Sequence, residues 1–435
     1  MVKRKNIPTF LTSLLKNKEE SRYARMIYAA IILLFILSAR LFYMQVVEGS
    51  YYKEEADGNR IRSIPVQATR GVMYDRNGVI LAGSRPAYSV IMPVDRKGNT
   101  LSDDELQKLS VLLKMPVADL KKKIEDNKRA FGAIYLANDV GVDVATQIEE
   151  KKDDFPGIQI EVNPLRVYPL GAAGAQVLGY VGEAGPDDKD ADGNPYTTAT
   201  LIGRAGIERK YNQYLEGKNG SKTIEVNASG QPVGYVGGTP AVSGNNIRLT
   251  LDANLQKAAE DAIDSQVKIL AKSGIYATGA SAVAIDPNSG AVLAMVSEPS
   301  YDPNRFSKGI STADWNQIIN NKNHPMQNRT IASMYPPGSL FKVVTGAAAL
   351  EAKVMSPTER IFDSGKHWLV DKRNAQGEAF GWIDFYEALE KSDNVYFYEM
   401  GRRLGIDKLS QMAREFGLGK PTGIDLAGEA DGNVA

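Results

Sequence analysis

From Met26 the chain reads Met-Ile-Tyr-Ala-Ala-Ile-Ile-Leu-Leu-Phe-Ile-Leu-Ser-Ala39, then Leu41-Phe-Tyr-Met44 and Val46-Val47, broken only by Arg40 and Gln45. A helix of roughly 20 apolar residues is the length that crosses a bilayer. The uncharged part is shorter than that, so Arg40 must snorkel to an interface, flanked by Phe42 and Tyr43 as interfacial aromatics. Lys3, Arg4, Lys5, Lys16, Lys18, Arg22 and Arg25 precede the run. The positive-inside rule therefore puts residues 1–25 in the cytoplasm as a short tail and everything from residue 48 outside. A cleaved signal peptide is the rival reading, but Arg40-Leu-Phe-Tyr-Met-Gln45 offers no small-residue cleavage site. The expectation is an uncleaved signal anchor over 26–47, with a single pass through a plasma membrane. A buried core helix would leave the basic cluster unexplained.

The remaining length of a 435-residue chain suffices for two further domains with sizeable cores. Lys plus Arg and Asp plus Glu are equal at 52 each, so no excess charge points to nucleic acid. There is no cysteine, which excludes disulfides and thiol catalysis. The two histidines, His324 and His367, are too few for a histidine metal cluster and do not favour a Ser-His-Asp triad.

Residues 48–244 alternate short β-rich runs with glycine-rich turns, and read as one domain. Ser102-Asp-Asp-Glu105 is a capping box opening a helix whose apolar face is Leu106, Leu109, Leu112 and Leu113; Pro116 ends it and a second helix covers 117–124. Asp75-Arg-Asn-Gly78 between Val72-Met73 and Val79-Ile80 predicts a hairpin. Lys121, Lys122 and Lys123 read as a solvated helix face. Asp188-Lys-Asp190-Ala-Asp192-Gly193 imitates the start of a calcium loop, yet position twelve is Ala199 and Pro195 is misplaced for such a loop. It reads as an acidic surface turn, and no metal or cofactor is expected.

Residues 245–435 differ in texture. A short strand 247–251 leads to a helix capped by Asp252 with Leu255, Ala258, Ala259, Ile263, Val267 and Leu270 on one face. Strands 282–285 and 292–296 then flank Asp286-Pro-Asn-Ser-Gly290 as a hairpin, giving helices on an antiparallel sheet, an α+β arrangement. Downstream lies Tyr335-Pro-Pro-Gly-Ser-Leu-Phe-Lys342. The Pro-Pro-Gly turn cannot continue a helix whereas the residues after it can, so Ser339 should open one, with Lys342 a turn later on the same face. A serine hydroxyl is a weak nucleophile, and a buried neutral amine beside it can act as its base. A second element, Ser392-Asp393-Asn394, lies after an amphipathic helix.

Ser-x-x-Lys with Ser-Asp-Asn is the pattern of penicillin-recognising serine enzymes. With Arg70-Gly71, Asp75-Arg-Asn-Gly78, Gly203-Arg-Ala-Gly-Ile-Glu208, Pro299-Ser-Tyr-Asp-Pro-Asn304, Asn328-Arg329 and Gly423-Ile-Asp-Leu-Ala-Gly-Glu429, the chain resembles a class B penicillin-binding protein over nearly its whole length. The resemblance implies a membrane anchor, an elongated pedestal or dimerisation-type domain over 48–244, and a penicillin-recognising transpeptidase domain over 245–435. It implies that Ser339 attacks the D-Ala-D-Ala carbonyl of a stem peptide to form an acyl-enzyme, which the amine of a neighbouring stem resolves into a cross-link. It implies Lys342 as proton acceptor, Ser392 as relay to the leaving nitrogen, and Asn394 as a catalytic and substrate-binding side chain on the substrate amide; Asp393 braces the loop. It also implies partners: stem peptides and lipid II-derived glycan, β-lactams acylating Ser339, and cell-wall synthesis proteins such as a glycosyltransferase. The third element of the pattern, Lys-[Ser/Thr]-Gly, is expected on a strand after Gly423-Ile-Asp-Leu426 and does not occur between there and Ala435; upstream of it, Pro421 breaks Lys420-Pro-Thr-Gly423. Losing one oxyanion donor typically costs ~10² to 10³ in rate, so the expectation is a transpeptidase truncated before that motif and inactive as this polypeptide alone. The rivals are a D-Ala-D-Ala carboxypeptidase or β-lactamase, and outside enzymes a cell-wall scaffold or β-lactam sensor.

Overall fold

The computed structural model describes residues 20–52, 60–93, 101–126, 133–155, 157–185, 187–190, 193–196, 200–226 and 232–434. They fall into two compact units, Met1–Val66 with Asn219–Ala241, and Gln67–Lys218 with Val242–Ala435. Lys3, Arg4, Lys5, Lys16 and Lys18 lie outside the described residues.

The first unit begins with helix Glu20–Phe42, which passes into a five-residue π-helix, Tyr43–Val47. Arg25–Val47 is long and apolar enough to cross a membrane, and protein covers none of its apolar window. The Arg40 guanidinium lies 5.5 Å over the Tyr43 ring, so the one charge in the run is stabilised by an aromatic face at the end of the span. The rest of this unit is a three-stranded antiparallel sheet in which Gly220–Val226 pairs with Ile61–Val66 on one side and Pro232–Thr239 on the other. Gly238 is required there, because a Cβ would stand 2.0 Å from the Ser221 carbonyl oxygen.

The second unit is organised by one long strand, Ile80–Pro93. Its first residues, Ile80 and Ala82, pair with Met73–Tyr74, its last residues with Ala133–Val140, and Gln159–Val167 lies along most of its length. The capping box at Ser102 is formed as expected, and helices Asp103–Leu113, Val117–Asp126 and Val142–Glu150 bury Leu106, Leu109, Leu120 and Ile148 against Val90, Met92, Ile134 and Leu136. Lys121 pairs with Asp103 at 2.8 Å, whereas Lys123 Nζ donates to the Leu136 carbonyl at 2.9 Å. The lysine run is therefore not a uniformly solvated face: one turn of helix aims its third member at a strand carbonyl. In the acidic turn, Asp188 is taken by Arg204 and the Gly185 N–H, and Pro195 makes a bridge with Lys189; Asp192 and Ala199 lie outside the described residues.

Asp75 fixes the predicted hairpin to the start of the next helix. Its carboxylate is fully buried and accepts the N–H groups of Asn77 (2.7 Å), Val79 (2.8 Å) and Ala253 (3.1 Å). Burial by itself would raise its pKa, but these backbone donors more than reverse that and hold it below the usual carboxylate value. Strand Ile247–Arg248 is shorter than the five residues expected, and it pairs in parallel with Met73–Tyr74. Helix Ala253–Lys272 is capped by Asp252 as expected, but Leu255 is exposed and only Ala253 and Gln256 are buried on it. Among the described residues the sheet beneath it has two strands, Ala280–Ile285 and Val292–Glu298, too little area to cover its apolar stripe.

At the centre of this unit Glu208 is fully buried between two guanidinium groups. Arg70 Nε donates to Oε2 at 2.6 Å, Arg166 Nε donates to Oε1 at 2.7 Å, and the Tyr168 hydroxyl donates to Oε1 at 3.1 Å. Arg166 Nη1 also donates to the Gly71 carbonyl at 2.7 Å. Removing one partner of such a buried set typically costs about 3–5 kcal/mol, because the charges left behind stay desolvated. Glu208→Ala is therefore expected to lower the unfolding free energy obtained from urea denaturation by that order; a loss under about 1 kcal/mol would show that the cluster is not holding these segments.

Candidate active site

Gly338–Leu340 forms a 3-10 turn that runs directly into helix Phe341–Glu351. The expected helix start is thus shifted: Ser339 sits in the tight turn and Lys342 in the first turn of the α-helix. Gly338 takes φ +57°, a left-handed value that glycine adopts without strain, and this aims the following serine outward. Ser339 is exposed, while Lys342 is 8% exposed. The same helix places Ala348 and Ala349 in a core cluster with Ile383, Ala388, Tyr396, Phe397 and Met400, and the Lys342 amine lies 5.7 Å over the Phe397 ring.

Ser392, Asp393 and Asn394 lie where helix Phe385–Glu390 gives way to helix Asn394–Leu404. Ser392 takes φ +56°, which costs a residue with a Cβ roughly 1–3 kcal/mol and marks a position over-determined by its surroundings. That turn brings its side chain between the other two groups. Lys342 Nζ donates to Ser392 Oγ at 2.9 Å and to the Ser392 carbonyl, and Ser392 Oγ donates to Ser339 Oγ at 2.9 Å. Among the described hydrogen bonds, the amine reaches Ser339 through Ser392. Burial pushes the Lys342 pKa down from its ordinary value, with the nearby Asp393 opposing that shift. A chain of exposed hydroxyl, bridging hydroxyl and desolvated amine is able to move a proton off Ser339.

Asp393 is fully buried and caps its helix by accepting the Tyr396 N–H at 3.1 Å, so it braces the loop. Burial raises its pKa, and Asp363 nearby adds to the rise. Asn394 is half-buried at the helix N-terminus, and its Nδ2 donates to the Arg373 carbonyl at 3.2 Å.

Sequence reasoning missed the groups that hold this corner. Asn374 Oδ1 accepts the N–H groups of Asn394 (2.8 Å) and Val395 (3.2 Å), the otherwise orphaned donors of the helix start. Its Nδ2 donates to Asp363 Oδ2 at 2.8 Å, and Asp363 also accepts the N–H groups of Gly365 and Phe380. Both side chains are buried. No local pattern around Asn374 announces this, since its partners lie 11 and 20 positions away. His367 is also structural: Nδ1 accepts the N–H groups of Leu369 and Val370, leaving Nε2 to donate to Glu399 at 3.2 Å. The hydrogen bonds from Arg402 and Arg403 hold Glu399 far below the usual carboxylate range.

Residues 65–249 match the family of the penicillin-binding protein dimerisation domain, and residues 280–435 that of the penicillin-binding protein transpeptidase domain. The peptidoglycan D,D-transpeptidase MrdA of Escherichia coli K12 is 35% identical over 95% of this chain and 65% of its own length, so the chain spans about two thirds of that relative. MrdA of Salmonella typhimurium SL1344 is 32% identical over 95% of this chain and 67% of its own. The structure is similar to that of the Helicobacter pylori penicillin-binding protein PBP2 in its complex with MreC, with TM-score 0.69 and 28% identity, covering 85% of this chain and 68% of that one. With its apolar N-terminal helix, this is a membrane-anchored protein of mixed α and β structure. Matched along both domains in one order, and carrying Ser339, Ser392 and Lys342 in one hydrogen-bonded chain, it belongs to the class B penicillin-binding proteins.

Proposed function

We propose that the protein is a serine-type peptidoglycan D,D-transpeptidase. The observation that carries this is the hydrogen-bonded chain from Lys342 through Ser392 to Ser339. Ser339 Oγ attacks the carbonyl of the penultimate D-Ala of a stem peptide, and its proton passes through Ser392 to the neutral Lys342 amine. The C–N bond then breaks, the departing nitrogen takes a proton back along the same route, and terminal D-Ala leaves an ester on Ser339. The amine of a neighbouring stem attacks that ester, forming the cross-link and freeing the serine. Asn394, fixed at its helix start, holds the substrate backbone amide. β-Lactams enter the same path and stay as the ester.

The basic residues ahead of the span support a cytoplasmic N-terminus with the catalytic region outside. The proposed division is a pedestal over 48–244 and a transpeptidase domain over 245–435. The Helicobacter pylori relative is solved with MreC, and another structural neighbour belongs to a peptidoglycan synthase complex that coordinates polymerization and crosslinking; together they support cell-wall synthesis proteins, such as a glycosyltransferase, as partners.

Labelling with a fluorescent penicillin, carried out on a chain that includes the Lys-[Ser/Thr]-Gly strand, tests the chemistry. Ser339→Ala is expected to abolish covalent labelling, and labelling that survives would place the nucleophile elsewhere. Lys342→Arg keeps the charge but has no proton-accepting form, so the acylation rate should fall by about 10² to 10⁴. In the parent protein that rate should rise with pH as Lys342 loses its proton, with a midpoint below that of a solvated lysine because burial disfavours the charged amine. A flat profile would remove Lys342 as the base. Asn374→Ala should cost about 1–3 kcal/mol of stability and also slow acylation of the protein that remains folded. Lost stability with an unchanged rate per folded molecule would mean that Asn374 supports the fold and not the site.

A further inference from the structure

Residues 366–373 form a loop beside the catalytic corner, held by its own backbone. Lys366 and Arg373 close it as an antiparallel bridge, the His367 N–H donates to the Lys372 carbonyl at 3.0 Å, and the Lys372 N–H donates to that of Val370 at 2.7 Å. Its last residue touches the site directly: Asn394 Nδ2 donates to the Arg373 carbonyl at 3.2 Å. The next residue, Asn374, is buried and holds the N–H groups of Asn394 and Val395, so the Arg373 backbone is fixed from both sides.

The Arg373 side chain takes no part in that scaffold. It is 67% exposed, and among the described residues its one ionic contact is Asp371 at 3.9 Å, too long for a hydrogen bond. Asp371 is itself held more closely by Lys366, at 2.9 Å. Arg360, Arg402 and Arg403, by contrast, each hold a glutamate at 2.8 or 2.9 Å. The loop carries Lys366, Lys372 and Arg373 against Asp371 alone, in a chain whose charges balance at 52 each. Such a local excess of cations attracts an anion, and the guanidinium fork fits a carboxylate through two parallel hydrogen bonds.

The position of Arg373 says where on a substrate that carboxylate lies. In the acyl-transfer reading Asn394 holds a backbone amide of the stem peptide. The terminal D-Ala has no amide beyond the scissile bond, so this amide lies on the acyl side, which stays on Ser339. Arg373 is one side-chain length from it, within reach of the neighbouring residue of the stem. We propose that Arg373 binds a side-chain carboxylate on the residue that precedes D-Ala-D-Ala, and so selects stems that carry an acid there. The proposal rests on the acyl-transfer reading and adds to it a determinant of which stem is acylated.

The test uses the chain that includes the Lys-[Ser/Thr]-Gly strand and two penicillins, one with a glutaryl side chain ending in a free carboxylate, the other its carboxamide. The second-order rate of Ser339 acylation is measured for each, and the ratio of the two within one variant cancels any difference in folded protein. The parent is expected to favour the carboxylate by about 3- to 10-fold, and by less at high salt. Arg373→Gln should bring the ratio to about one, and Arg373→Lys, which keeps the charge but not the fork, should leave an intermediate preference. A parent without the preference, or an Arg373→Gln protein that retains it, overturns the proposal. A parent that neither penicillin acylates overturns the acyl-transfer reading instead, and this proposal with it.

Discussion

One buried carboxylate joins three distant stretches of chain. Glu208 lies between Arg70 and Arg166, and each arginine reaches further, Arg70 to the Glu208 carbonyl and Arg166 to that of Gly71. The backbone is drawn in closely around them: the Gly71 N–H donates to the Leu215 carbonyl, and a Cβ at Gly71 would stand 1.9 Å from the Asn245 oxygen. From the same cluster, Tyr168 exchanges two hydrogen bonds with the Asn304 side chain, which ties the strands to the segment leading toward the catalytic helices. Desolvating such a set is costly and returns little net stability compared with an apolar core. Its contribution is geometry, because charges buried without their partners are far worse than any alternative arrangement.

The catalytic corner uses the same logic on a smaller scale. Ser392 keeps a left-handed backbone because Asp393 caps the helix behind it and Asn374 holds the two N–H groups at its start. That conformation aims the Ser392 hydroxyl between Lys342 and Ser339. Burial of the lysine keeps its pKa down, while Ser339 stays exposed to solvent. The strained turn is therefore what joins the three polar groups into one hydrogen-bonded chain.

Many of these features are legible in the residues themselves. The capping boxes and Asx turns at Ser102, Asp252 and Asp75 are local, so their hydrogen bonds arise between neighbours in sequence. The apolar run from Met26 and the Ser-x-x-Lys spacing are likewise local patterns, and both form helical starts or spans near where expected. The stripe of helix Ala253–Lys272 departs from expectation because periodicity says which side is apolar and not how much area lies opposite. Lys123 departs from it because a run of lysines does not reveal that one of them faces a strand carbonyl.

By itself the sequence determined the apolar span and the family, and it singled out Ser339 and Lys342 as a pair, since each is written in residues one to four positions apart or in motifs kept in a fixed order. Only the tertiary structure decided that Lys342 reaches Ser339 through Ser392, that Asn374 and Asp363 hold Asn394 in place, and that Glu208 is the common partner of Arg70 and Arg166. The reason is physical: these are pairings between polar groups far apart along the chain, and their strength comes from a low-dielectric interior that exists only once the chain has folded.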